Sequence, residues 1–133
     1  MEAQCHCTTL RAAARRVTAL YDAALQPAAI NAAQFALLRK LHTTGPVSIQ
    51  RLAEAVELER STVARNVRVL EKSGFVRLAT TAADRRTTMI HLSPPGAEAL
   101  KAATPLWESA QRRIEESLGV EGALALRETL RSL

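Results

Sequence analysis

The chain has 133 residues, 47% of them apolar and 23% charged, with a net charge of +5, which suits one domain with its own core. Its aromatics (Tyr21, Phe35, Phe75 and Trp107) are too few for single-strand or RRM-type stacking platforms, and its two cysteines are too few and too close for a disulfide framework. No apolar run approaches the roughly 20 residues of a membrane span, and the N-terminus lacks the basic-then-apolar order of a signal peptide, so a cytoplasmic protein with no membrane partner is expected.

Over about 8–26, apolar residues recur as Leu10, Ala13/Ala14, Val17, Leu20/Tyr21 and Ala24/Leu25, the spacing of an amphipathic helix, which Pro27 stops. Asn31 is a candidate cap for a second helix carrying Phe35, Leu37, Leu38 and Leu41 and ending at Thr43-Thr44-Gly45-Pro46. A short third helix follows Ser48 with Leu52, Ala53 and Val56 inward, and a tight connection at 57–60 leads into a fourth helix. That helix ends at Ser73-Gly74, where glycine suits the left-handed position just past a helix end. The period then changes to two. Val76 and Leu78 share one face of a strand over 75–80, and Ile90 and Leu92 share one face of a strand over 88–92, joined by a long loop without glycine at 81–87. Ser93-Pro94-Pro95-Gly96 is expected to break the second strand. A long helix then runs over about 97–118 with Leu106, Ala110, Ile114 and Leu118 on one stripe. Gly119 interrupts it, and a last helix carries Leu126, Leu130 and Leu133.

Two short helices joined by a tight turn, then a basic long-looped hairpin, make a winged helix-turn-helix: mainly α, with a small β-hairpin wing. From Arg60 to His91 there are seven basic residues and two acidic ones, so this stretch holds the whole excess positive charge and the rest of the chain is balanced at eleven of each sign. Charge gathered on one short element pair points to a polyanion, here double-stranded DNA. At about 100° per residue, Val63, Val67 and Leu70 form the buried stripe of the fourth helix. The opposite side then carries Ser61, Arg65, Arg68 and Lys72, flanked by Thr62 and Val69. In a major groove such a helix reads base edges with its first turns and holds phosphates with the rest, and Arg65 suits guanine N7 and O6. In the loop, Arg85 and Arg86 are candidate contacts, with Arg86 expected to enter an A·T-rich minor groove. Asp84, repelled by phosphate, is expected to pair with a nearby arginine and hold the loop. The plainer reading, a solvated charged face, accounts for the helix alone but not for helix and wing together.

At these residues the chain resembles the MarR family of bacterial transcriptional regulators. The matching pieces are Leu52-Ala53, the run from Arg60 to Val67, Leu70-Glu71-Lys72-Ser73-Gly74-Phe75-Val76, and Asp84-Arg85-Arg86 followed by Leu92-Ser93-Pro94-Pro95-Gly96. Ser93 stands where the family's threonine is usual, and Glu59 where an aspartate often precedes the Arg-Ser pair. The resemblance covers nearly the whole chain and implies a winged helix-turn-helix over 31–95 flanked by dimerisation helices at 1–30 and 96–133, the last of them short for the family. It also implies repression relieved by a small aromatic or anionic effector in a cleft between the dimer and DNA-binding regions, for which Tyr21, Phe35, His42 and Trp107 are candidates. Aromatics at helical spacing are more often simply core.

The apolar stripes outside 31–95 exceed what so small a module can cover, so a homodimer is expected, its two reading helices meeting a pseudo-palindromic site. An intramolecular bundle is the alternative. Cys5-His6-Cys7 allows three readings: inert thiols, a redox pair linking protomers with its pKa lowered by Arg11 and nearby cations, or metal ligands at a frayed terminus. No Gly-rich phosphate loop, metal-spaced set or Ser/His/Asp grouping marks an enzyme, and no cofactor is implied. The competing function is an architectural duplex binder without an effector.

Overall fold

The computed structural model describes residues 3–80 and 86–133. The elements run α1 (His6–Leu25), a 3-10 turn (Gln26–Ala28), α2 (Ala32–Thr44), β1 (Val47–Ser48), α3 (Ile49–Val56), α4 (Arg60–Lys72), β2 (Val76–Thr80), β3 (Thr88–Leu92), α5 (Pro94–Leu118) and α6 (Val120–Arg131). Every helix and both wing strands expected from periodicity are present. The expected contacts of Asp84 and Arg85 lie outside the described residues.

Four local details differ from the expected boundaries. Helix α1 begins at His6 with Cys5 as its extended N-cap, so both cysteines sit at its start. Pro27 falls inside the 3-10 turn that follows α1. Strand β1, unforeseen, pairs antiparallel with β3 (Val47↔Ile90, Ser48↔Met89), giving a three-stranded sheet in the order β1-β3-β2. Two residues are too few to show a period of two, so only pairing reveals this strand. Finally, Ser93-Pro94-Pro95-Gly96 ends strand β3 at Leu92 as expected, but the helix already starts within it, at Pro94 rather than at about 97. Ser93 caps α5 by accepting from the Gly96 N–H at 3.1 Å, and proline is tolerated in the first turn because its missing N–H has no helical partner there.

The Ser93 hydroxyl also donates to the Gly74 carbonyl at 2.5 Å, tying the end of α4 to the start of α5. Gly74, at φ +80°, closes α4 with bonds from Gly74 N–H to Glu71 and from Phe75 N–H to Leu70, both 2.9 Å, the left-handed cap that its sequence position suggested. Gly96 has a different reason to be glycine. A Cβ there would lie 1.9 Å from the Phe75 carbonyl oxygen, so α5 can cross the wing corner only without a side chain.

The register Val76↔Leu92 and Leu78↔Ile90 puts the apolar residues of both wing strands on one face, as alternation required. They close over a core built from Leu37, Leu38 and Leu41 of α2, Leu52 of α3, and Val63, Val67 and Leu70 of α4, with Leu25, Leu100 and Ala103 joining from the flanking helices. No described helix is long and apolar enough to cross a membrane.

Candidate nucleic-acid interface

Helices α3 and α4 are linked by a turn whose pivot is Glu57, left-handed at φ +56° without being glycine. The Leu58 N–H reaches back to the Ala53 carbonyl at 3.1 Å, and the turn leaves Glu59 extended as the N-cap of α4 with no side-chain capping bond. Val63, Val67 and Leu70 are fully buried, and Ser61, Arg65, Arg68 and Lys72 are exposed with Thr62 half-buried between them. The sequence-derived face of α4 is therefore the face the structure turns outward. Arg65 Nη2 lies 3.4 Å from Thr62 Oγ1, which draws the guanidinium toward the first turn.

Arg86 is exposed two residues before β3, at the base of the wing loop, and lines a polar cleft of about 320 Å³ with Ser48, Gln50, Arg60 and Thr88. The cleft joins the wing to the start of α3, where Ser48 caps by accepting from the Arg51 N–H at 3.2 Å. A helix start beside two arginines favours an oxyanion such as phosphate. Arg60, Ser48 and Gln50 are thus interface candidates that periodicity did not single out; the charge of Arg60 and the helix-capping serine were the available signals.

The four cleft aromatics lie along two adjoining cavities rather than one. Phe35 and Trp107 stack with centroids 5.4 Å apart and planes at 20°, and the Arg39 guanidinium carbon lies 4.5 Å from the centroid of a Trp107 ring. This stack walls a cavity of about 580 Å³ that also includes His42, Lys101, Glu98 and Glu108. On its other side lies a cavity of about 470 Å³ that includes Tyr21 and Lys40. Tyr21 and His42 therefore face different spaces. Sequence reasoning passed over Arg39, although its position four residues after Phe35 puts both on one helix face. Tyr21 donates to Gln111 Oε1 of α5, and burial, then the nearby Glu115 carboxylate, raise its pKa against the opposing pull of Arg127, keeping the phenol a donor.

Cys5 and Cys7 are both exposed. The Cys5 pKa is lowered, chiefly by a hydrogen bond from the Thr8 side chain and then by the Thr8 and Cys7 backbone amides. The helix start and its threonine are the cause, in place of the cations expected from sequence. Among the described residues no group of three His, Cys, Asp or Glu side chains is placed to hold a metal.

A model of the MarR family matches residues 30–88, the stretch from the start of α2 to the start of β3. The Mycobacterium tuberculosis transcriptional regulator MosR is 30% identical, with 98% of each chain covered and a TM-score of 0.80; its structure in complex with DNA aligns at 32% identity over 97% of each chain, also at 0.80. A probable transcriptional regulator from Pseudomonas aeruginosa superposes with a TM-score of 0.87 at 25% identity, covering 96% of this chain and 95% of that one. The uncharacterized HTH-type regulator YhbI of Bacillus subtilis is 28% identical over 95 residues, 71% of this chain and 62% of its own, so the chain spans less than two thirds of that curated relative. A fourth helix with an outward cationic face, a wing corner tied to its end through Ser93 and Gly96, and full-length likeness to such regulators lead to one assignment: the chain belongs to the MarR family of DNA-binding transcriptional regulators, which are not enzymes.

Proposed function

We propose that the protein is a homodimeric repressor that binds a pseudo-palindromic operator in the cytoplasm and releases it on binding a small aromatic or anionic effector. The observation that carries the DNA part is the α4 face: Ser61, Arg65, Arg68 and Lys72 outward, with Val63, Val67 and Leu70 fully buried behind them. In this reading Ser61, Thr62 and Arg65 meet base edges, Arg68 and Lys72 meet phosphates, and Arg85 and Arg86 serve the wing, with Asp84 holding its loop. The complex of MosR with DNA supports the same use of the module.

The dimer follows from the arms. Leu10 and Val17 of α1, Leu118 at the end of α5, and Leu124, Leu126 and Leu130 of α6 are all about two-fifths exposed or more, an apolar surface that a second copy would cover. The effector site is the Phe35–Trp107 stack with Arg39 above it, bordered by His42 and Lys101, and by Tyr21 on the far side. An aromatic face and a guanidinium fit a planar anion. A second mode of release, thiol oxidation, is favoured by the exposed, acidified Cys5 beside Cys7.

Selection of genomic fragments by the purified protein tests this, followed by titration of the best fragment against salt and small aromatic acids. The expected result is strong preference for one palindromic site, with affinity falling by roughly 10³ between low and moderate salt if six or more phosphates are neutralised. Arg65→Ala should relax preference at one base position, and Arg86→Ala should weaken binding most on A·T-rich flanks. A preference below about tenfold over random duplex would support the architectural alternative, because specific binding ordinarily exceeds it by 10³ or more.

A further inference from the structure

Gln34 is, among the described residues, the buried polar side chain of the molecule, 8% exposed. Its amide is engaged at both ends. Oε1 accepts from the Asn31 backbone N–H at 3.0 Å, and Nε2 donates to Asn66 Oδ1 on α4 at 3.2 Å. Asn66 Nδ2 donates in turn to the Thr62 carbonyl, one turn back, at 3.0 Å, and Thr62 Oγ1 accepts from Arg65. At the other end, Asp22 of α1 accepts from the Ala32 N–H, the first helical amide of α2, at 2.8 Å. Hydrogen bonds thus run from the arm helix, through the capped start of α2, to the first turn of α4.

Helix capping uses only half of this arrangement. The capping box needs Asn31 and the Gln34 oxygen, and nothing in it requires Nε2 to reach another helix. Stability does not require it either, since replacing both partners of a buried polar pair by apolar groups of similar shape is commonly neutral or favourable. What the bond adds is direction. The stripe of Val63, Val67 and Leu70 tolerates a small rotation of α4 about its axis, because apolar contact is non-directional, whereas an N–H···O bond weakens steeply off line. Recognition geometry must be held to about 0.5 Å and 10–20°, tighter than the stripe alone imposes.

We propose that Gln34 and Asn66 are positioning residues for DNA recognition, fixing the rotation of α4 against α2 so that its first turn meets base edges in register. This rests on the reading of α4 as the base-reading helix. The test compares affinity of the intact protein for the site recovered by genomic selection and for random duplex of equal length, at matched salt. Gln34→Met and Asn66→Ala should each lower the preference about tenfold, the size of one lost base contact, with random-duplex affinity unchanged. Their double variant should lose no more than the larger single, as expected of one shared bond. Should Gln34→Met fail to fold, Asn66→Ala, at a half-buried position, carries the test. Undiminished preference in the folded variants, or fully additive losses in the double, would overturn the proposal. Arg65→Ala run alongside separates the two ideas. If it leaves preference unchanged, the base-reading role of α4 fails; if it relaxes preference while the Gln34 and Asn66 variants do not, positioning alone fails.

Discussion

The winged module and the helical arms have similar apolar stripes and opposite fates. Among the described residues, of the nine largest fully buried side chains all but Leu25 lie between Leu37 and Ile90. Of the ten large apolar side chains left exposed among the described residues, all but Leu58 and Val69 lie in α1, at the end of α5, or beyond it. The module closes its core within the chain, because α2, α3, α4 and the sheet surround one another. The arms pack on one another, α1 against α5 and α5 against α6, and lean on the module through α2, yet each keeps an uncovered apolar side. The same pattern of leucines therefore closes a core in one region and, in the proposed dimer, serves association in the other.

Substitutions that remove apolar contact separate the two regions most sharply. Leu52→Ala, at a fully buried site in α3, should cost about 2–5 kcal/mol, read as a fall in denaturant midpoint. Gly96→Ala should follow at about 1–3 kcal/mol, because its Cβ meets the backbone oxygen of Phe75, a clash that no side-chain rotation relieves. If that variant is as stable as the parent, the crossing of α5 over the wing corner is looser than the geometry implies. In the arms, Leu10→Glu and Leu130→Glu, at positions 43% and 42% exposed, should change the stability of an isolated chain by less than about 0.5 kcal/mol. They should nevertheless weaken self-association markedly in sedimentation equilibrium. Unchanged association would assign that surface to another occupant.

Smaller effects test the turns. Glu57→Gly relieves a left-handed non-glycine residue in the turn between α3 and α4 and should raise stability by up to about 1 kcal/mol, partly offset by chain entropy. The smallest effect is one of reactivity. With its pKa lowered by Thr8 and the helix-start amides, Cys5 holds more thiolate at neutral pH than a free thiol. In a Cys7→Ser background its alkylation rate should reach half-maximum below the pH of a model peptide, and Thr8→Ala should move that midpoint upward. A midpoint unmoved by Thr8→Ala would remove the threonine from the account.

The helices were legible because each carries an unbroken stripe of period 3.6, and the wing because Val76, Leu78, Ile90 and Leu92 alternate. The Gly74 cap was legible because the left-handed position after a helix has few tenants. Strand β1 was not, because its two residues have meaning only opposite Ile90 and Met89. The start of α5 falls a few residues earlier than its apolar stripe indicates, because the prolines that end the strand also fit the first turn of a serine-capped helix. Gln34 sat three residues after Asn31, a capping-box spacing, yet nothing local tells that its other end reaches Asn66.

Sequence alone determined the element types, the wing, the inward stripe of α4 and the concentration of positive charge behind a DNA-binding role, because periodicity and net charge are properties of neighbouring residues. Tertiary structure alone decided that Arg86 borders a cleft with Arg60 and Ser48, that Tyr21 and His42 face separate cavities divided by the Phe35–Trp107 stack, and that Gln34 joins α2 to α4. Those relations depend on how helices cross, and crossing is set by directional contacts between residues far apart in the chain, which no local pattern encodes.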